Sequence, residues 1–172
     1  MLKPMKIHEA ILLLGSNIEP ENNIFSALNI IHGITPVVAQ SQIWKTRAIG
    51  SDGPDFLNSA LKIQTVLDKE GIKYSIIQPV EHQLGRVRSA DKYAPRTIDV
   101  DIIVFDDQVL DPRLWELGFI AVPVSEIATN LIHPQTGKHL RKIAEEFKSS
   151  TSVELFITGS NSPLKFEGFG SP

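Results

Sequence analysis

Apolar and polar positions alternate along this chain with two periods, and the changes of period mark its elements. The run Ala10-Ile11-Leu12-Leu13-Leu14 predicts a buried strand over residues 8 to 14, stopping at Gly15-Ser16-Asn17. Glu19-Pro20-Glu21 then opens a helix, with proline and acids in the first turn, where both are favoured. Ile24, Leu28 and Ile31 supply its apolar stripe, and Gly33 is the expected stop. Residues 36 to 46 read as a second strand, and residues 56 to 66 as a third. A second helix is expected over residues 68 to 84, ending near Gly85. Pro79 lies inside it, removes a backbone donor and disfavours helix at Gln78, so a kink or a broken first turn is expected there. Residues 98 to 105 read as a fourth strand. A short helix is expected from Pro123 to Thr129 and a last one from Lys138 to Phe147. Residues 1 to 7 read as a frayed leader. The Ser-, Gly- and Pro-rich stretch from Lys148 to Pro172 carries one apolar patch, Val153 to Ile157; it reads as a partly disordered tail or an added edge strand.

The order strand, helix, two strands, helix, strand is the split β-α-β pattern of an α/β (α+β) ferredoxin-like βαββαβ core with C-terminal helical additions. One domain over residues 1–172 is expected, with its core at about 8–147 and residues 148–172 as an extension. Hydrophobic residues make up 42% of the chain and charged residues 22%, which is ordinary for a globular protein. The net charge of −3 supplies no global positive field, so nucleic acid is not an expected partner, and any polyphosphate must be held by a local basic cluster. The chain has no cysteine, which excludes disulfides and thiolate metal sites and agrees with a cytoplasmic location. The apolar runs are too short to span a bilayer, and the N-terminus lacks the pattern of a signal peptide, so no membrane partner is expected. Nothing in the sequence fixes the oligomeric state.

The chemistry concentrates in Arg96-Thr97-Ile98-Asp99-Val100-Asp101. In a strand, Asp99 and Asp101 point to the same face. Two adjacent carboxylates repel, and a divalent metal with a preference for oxygen ligands, such as magnesium, is the usual reason to pair them. Just upstream, Arg86, Arg88, Lys92 and Arg96 put four basic side chains within eleven residues. Arginine forks grip phosphate oxygens at two points, so metal and cations together point to a polyphosphate. Tyr93 can lie flat against a nucleobase. Spacing alone leaves a second reading equally open: a solvated basic loop with an incidental ion pair to Asp99 or Asp101. The five histidines lack zinc-ligand spacing, and neither a Walker-type glycine loop nor a serine-centred elbow occurs.

The stretch from Lys92 through Arg96-Thr97-Ile98-Asp99-Val100-Asp101 to Ile103 resembles the signature of the 6-hydroxymethyl-7,8-dihydropterin pyrophosphokinase family of folate biosynthesis. Leu14-Gly15-Ser16-Asn17, Phe56-Leu57-Asn58, Glu81 with Leu84-Gly85-Arg86, and Gly118-Phe119 with Pro123 follow in the family's order; the resemblance spans roughly residues 9 to 145. It implies transfer of the terminal diphosphate of ATP to the hydroxymethyl oxygen of the pterin, with release of AMP. It also implies that Asp99 and Asp101 hold two magnesium ions. Arg86 and Arg96 match phosphate-binding arginines near the metals. Gln78, Glu81, Arg88, Lys92 and Tyr93 match contacts to ATP. Phe56 and Phe119 match the aromatic pair that sandwiches the pterin, and Thr46 and Asn58 match groups that read its edge; without the resemblance, core packing is the better reading of the two phenylalanines.

Three departures from the family pattern stand out. Asp111 stands where a histidine contacts ATP, and Leu117 where an arginine sits. The connection from Phe105 to Asp111 is short, where the family commonly runs through an added strand. The segment Arg47-Ala48-Ile49-Gly50 lacks the usual proline. An acid beside a triphosphate is unfavourable unless a cation intervenes. These changes leave open an alternative: a relative that binds pterin or nucleotide without this turnover, or that uses a different substrate.

Overall fold

A computed structural model of the chain describes residues 5–50, 52–91, 93–150 and 152–158. Among these residues a seven-stranded sheet is built from β1 (His8–Ser16), β2 (Val37–Gln40), β3 (Trp44–Thr46), β4 (Phe56–Thr65), β5 (Asp99–Phe105), β6 (Gln108–Val109) and β7 (Val153–Leu155). Its order is β6-β5-β1-β4-β3-β7, with β2 also paired to β4, and every pairing is antiparallel. Stripped of the short outer strands, this is the strand order of the ferredoxin-like βαββαβ unit.

β1 is the centre of the molecule, and its alternation decides the two faces. Ala10, Leu12 and Leu14 face one side, where they meet Ile24, Leu28 and Ile31 of helix α1 (Pro20–Ile34). Ile72 of α2 (Lys69–Ile72) and Val80 of α3 (Gln78–Gln83) complete that layer. Ile11 and Leu13 face the other side, against Ile120, Ala121 and Val124 of α4 (Gly118–Ile127) and Leu140 of α5 (Leu140–Ser149). A strand covered on both faces reads as a continuous apolar run rather than an alternating one. That is why residues 10 to 14 carry no polar position.

Several sequence expectations change in the structure. The single strand over residues 36 to 46 is two strands, interrupted at Ser41 to Ile43. There the Gln42 amide donates to Glu126 Oε2 (2.7 Å) and the Trp44 indole to Glu126 Oε1 (3.2 Å). A carboxylate 84 positions away in sequence therefore takes the place of ladder partners. The expected kink at Pro79 is a π turn over Lys73–Ile77, in which the Gln78 amide reaches back to the Lys73 carbonyl. Helix α4 begins at Gly118 rather than at Pro123, which lies inside it. Gly118 allows the close approach that starts the helix: a Cβ there would come within 2.8 Å of Val153 and 3.0 Å of the Phe147 ring.

Of the leader expected over residues 1 to 7, residues 1–4 lie outside the described residues, Met5 and Ile7 are exposed, and Lys6 makes an ion pair. Lys6 Nζ (2.8 Å), His8 Nδ1 (2.7 Å) and the Glu9 amide (3.1 Å) all converge on the Asp106 carboxylate. The connection after Phe105 is short, as expected, and still contains a strand. Asp106 (φ 46°) and Asp107 (φ 64°) form a two-residue turn with both residues left-handed, so β5 folds directly back into β6. Of the extension, Val153–Leu155 adds an edge strand on β3, which carries the sheet beyond residue 147. Residues 159–172 lie outside the described residues. Leu12 is fully buried at the centre of the first core layer. Leu12→Ala is expected to lower unfolding stability by about 2–5 kcal/mol in urea denaturation.

Candidate active site

The register between strands assembles one face of the sheet into a row. Asp99 pairs with Gly15, Gly15 with Asn58, and Asn58 with Trp44, so β5, β1, β4 and β3 contribute in turn. Asp101 lies opposite Leu13, two residues further along the same face. A cavity of about 460 Å³ opens over this row. It is lined by Asp99, Asp101, Arg96 and Tyr93, by Thr46, Phe56, Asn58 and Phe119, and by Arg47, Arg113 and Leu117 among others. The two groups of candidate residues, an acidic pair with an arginine and an aromatic pair with polar partners, therefore share one chamber.

The floor stays open because Gly15 has no side chain. A Cβ there would come within 3.1 Å of Asn58 Oδ1 and 3.8 Å of the Phe56 ring. Beside it, Asn58 Nδ2 donates to Thr46 Oγ1 (2.9 Å), and both residues are buried. This couples an amide and a hydroxyl on the cavity wall. Phe56 also carries the Arg96 guanidinium 5.9 Å from its ring centroid, so one arginine joins the aromatic and acidic ends.

Arg96 is fixed from both sides of its peptide. Its amide donates to Asn17 Oδ1 (2.8 Å), and its carbonyl accepts from the Asn17 amide (3.1 Å). From that position Arg96 Nη1 donates to Asp99 Oδ2 (2.5 Å), while Arg86 Nη2 lies 3.5 Å from Asp99 Oδ1. Asn17 has no signature in the sequence beyond its place after the Gly-Ser turn. Its role depends on an element 79 residues away.

Asp101 has no such partner within hydrogen-bonding distance among the described residues. Its recess in the protein and the neighbouring Asp99 charge hold its pKa up at about 6, with Arg113 opposing them. The side chain still opens to solvent, so the effect comes from surrounding protein and like charge rather than from closure over the carboxylate. Among the described residues no third carboxylate, histidine or cysteine completes a cluster with this pair.

The structure brings some of the predicted residues together and leaves others apart. Gln78 is exposed on α3, outside the cavity. Glu81 is buried, and both of its oxygens are engaged by the protein. Oε1 accepts from the Val100 amide (3.2 Å), between the two aspartates, and Oε2 from Arg88 Nη2 (2.8 Å). Glu81 and Arg88 thus brace β5 from behind rather than lining the chamber. Lys92 lies outside the described residues. Tyr93 lines the cavity and lies over Gly50, where φ is +76° and a Cβ would come within 2.7 Å of the ring. The basic loop therefore touches the loop after β3, on the same side of the chamber as Thr46 and Phe56. Arg47 and Arg113, both on the cavity wall, were not identified from the sequence. Arg47 lies in an exposed loop and Arg113 in a single 3₁₀ turn, and neither carries a periodic signal.

The sequence matches the family described as 7,8-dihydro-6-hydroxymethylpterin-pyrophosphokinase (HPPK) over residues 11–129. The chain belongs to this family. Among pyrophosphokinase relatives, it is 30% identical to the 2-amino-4-hydroxy-6-hydroxymethyldihydropteridine pyrophosphokinase of Synechocystis sp. over 155 residues, covering 83% of this chain and 78% of that protein. It is 32% identical to the enzyme of the same name from Pseudomonas aeruginosa over 149 residues, covering 80% of this chain and 90% of that one. In solved structures, the HPPK fold recurs in HPPK-DHPS of Plasmodium falciparum, with a TM-score of 0.64 at 11% identity. That match covers 86% of this chain and 47% of the larger one, and it shows the ferredoxin-like fold alone.

The acidic pair generates a pH-dependent stability. With a folded pKa near 6 against an ordinary 3.8, Asp101 binds its proton more tightly in the folded state. Its ionisation therefore costs stability as pH rises through that window. Asp101→Asn is expected to raise the melting temperature of the ligand-free protein above about pH 6 and to match wild type below the ordinary carboxylate range. Thermal denaturation across pH 3 to 8, roughly spanning the window, checks it.

Proposed function

We propose that the chain transfers the terminal diphosphate of ATP to the hydroxymethyl oxygen of 6-hydroxymethyl-7,8-dihydropterin, giving AMP and the pterin diphosphate for folate biosynthesis. One observation carries the reading: a single cavity holds an acidic pair with its arginine at one end and an aromatic pair with an Asn–Thr edge at the other. The family membership and the names of the relatives support the same reaction.

In this reading a new bond forms between the hydroxymethyl oxygen and the β-phosphorus. The bond from that phosphorus to the oxygen bridging toward the α-phosphate breaks, and the hydroxyl loses its proton. Such transfers need positioning and charge neutralisation more than covalent help from the protein. Phe56 and Phe119 would hold the flat heterocycle, and the Asn58–Thr46 pair would read its polar edge. Arg96, held by Asn17 and reaching from Phe56 to Asp99, stands where the two substrates must meet. Arg86 adds positive charge behind Asp99. Lys92 and Tyr93 on the basic loop are assigned to ATP by resemblance, as are Gln78, Glu81 and Arg88. For Glu81 and Arg88 the observed pairing makes bracing of the acidic strand the more direct role.

Asp99 and Asp101 would hold magnesium, two ions by resemblance, and the donor set fits that metal. Magnesium is commonly bound by one or two carboxylates, with water and phosphate oxygens completing its octahedron, so a third protein ligand is not required. When bound, magnesium neutralises phosphate charge and aligns the oxygens that enter and leave. The raised pKa of Asp101 fits a carboxylate that is more favourably charged beside a cation.

The alternative of binding without turnover drew on Asp111 as an acid facing the phosphates. In the structure that carboxylate is occupied by Arg113, whose hydrogen bonds hold its pKa below the usual range, so no bare charge opposes an anion there. Among the described residues no helix is long and apolar enough to cross a membrane. We assign the protein to the cytoplasm on its composition, and the described residues to one domain.

The test is incubation with magnesium, ATP and 6-hydroxymethyl-7,8-dihydropterin, followed by separation of AMP and the pterin diphosphate. Both products are expected to accumulate in equal amounts. Ligand binding by calorimetry without AMP formation would favour the alternative. Asp99→Ala and Asp101→Ala are each expected to abolish AMP release with the far-ultraviolet dichroism unchanged; wild-type turnover in either refutes the metal assignment. Phe119→Ala is expected to raise KM for the pterin by roughly tenfold or more while shifting KM for ATP little, in keeping with loss of one aromatic contact.

A further inference from the structure

Arg113, Leu117 and Phe119 bring the segment after β6 to the cavity wall, and Arg113 is the one basic residue between Asp106 and Phe119. Two features distinguish it from an ordinary surface arginine. First, its side chain is more than half exposed, yet it lines the same chamber as Asp99 and Asp101. Second, it is not loosely held. Arg113 Nε donates to Asp111 Oδ1 (2.9 Å) and Oδ2 (3.1 Å), and Nη2 donates to Oδ2 (2.6 Å). The Arg113 amide also donates to Asp111 Oδ1 (3.0 Å), which caps the 3₁₀ turn Pro112–Trp115. The carboxylate of Asp111 is itself largely covered, so the fork is anchored on a fixed base.

A guanidinium has five N–H donors in one plane. The Asp111 contacts use the Nε edge and one Nη2 donor, and Nη1 makes no hydrogen bond among the described residues. The free edge of a fork pinned on one side is preorganised, because its rotamer is already chosen before an anion arrives. Leu117 follows one turn later on the same wall, with its amide bonded to the Arg113 carbonyl, and it adds no charge. Arg96 and Arg113 thus bring positive charge to the chamber from two different loops.

We propose that Arg113 is a phosphate-binding residue of this site, presented to a polyphosphate by Asp111 acting as its positioning residue. The inference rests on the reading of the cavity as a polyphosphate site and adds to it a cation from the segment after β6.

The test uses magnesium and inorganic tripolyphosphate, with affinity measured by calorimetry on the full chain. Arg113→Gln is expected to weaken binding by roughly 10- to 100-fold, the size of one charge-assisted hydrogen bond or slightly more, with the melting temperature of the ligand-free protein shifted little. Arg113→Lys, which keeps charge without the fork, is expected to fall between the two. Asp111→Asn separates positioning from simple charge. Removing a negative charge near an anion strengthens binding by Coulomb's law alone, whereas loss of a positioning carboxylate weakens it. Weakened binding, with partial recovery in Asp111→Glu, is the result expected. Wild-type affinity in Arg113→Gln overturns the assignment of Arg113 and leaves the reading of the cavity standing. Tighter binding in Asp111→Asn overturns the positioning role. Failure of the wild-type protein to bind magnesium tripolyphosphate overturns both the cavity reading and this inference.

Discussion

Two carboxylates two residues apart on one strand face repel each other, and among the described residues only one of them is paired with a cation. Asp99 is compensated by Arg96 and Arg86. Asp101 has no hydrogen-bonded cation among the described residues, and its proton affinity rises in response. The unrelieved charge is a local cost that the ligand-free protein carries. A local cost of this kind persists only where the surrounding structure fixes it. Here the fixing comes from behind the strand: buried Glu81 accepts the Val100 amide between the two aspartates.

The rest of the architecture serves that placement. β1, covered on both faces, gives β5 a rigid neighbour, and its glycine at position 15 leaves space where any larger residue would press on Asn58 and Phe56. Asn17, just past the end of β1, grips Arg96 by its own peptide and reaches Pro54 with its side chain. One short turn thereby sets the positions of both the basic loop and the loop before β4. α4 closes the aromatic end, and its first residue is a glycine because β7 and α5 pack against it without room for a side chain. Cation, acid and aromatic positions are consequences of one register.

Much of this was legible in the sequence, and the limits have physical causes. β1 is a continuous apolar run, and α1, β4 and β5 are long with clear apolar patterns, so pattern alone located all four within a residue or two. The Asp99–Asp101 pair was legible because strand alternation is local. The break at Ser41 to Ile43 was not, since it depends on Glu126, whose position is fixed by tertiary packing. Pro123 read as a helix start because proline is favoured in the first turn; the actual start at Gly118 is set by contacts with Phe147 and Val153. Glu81 matches a nucleotide contact by resemblance alone; its hydrogen bonds from Val100 and Arg88 depend on tertiary packing and leave no local signal. Asp111 reads as an acid in the place of a histidine that contacts ATP, and the cation that intervenes, Arg113 two residues on, is brought to it only when the 3₁₀ turn forms.

The central claim is that the acidic pair is completed by a cation and a polyphosphate together. The most direct measurement is the melting temperature of the protein with a non-hydrolysable ATP analogue, with and without magnesium, in wild type and in an Asp99→Asn/Asp101→Asn double variant. A ligand that binds only the folded state raises the melting temperature in proportion to the logarithm of its concentration over Kd. The account predicts a rise in wild type that requires both magnesium and the analogue and that disappears in the double variant. An equal rise without magnesium, or an undiminished rise in the double variant, would contradict it.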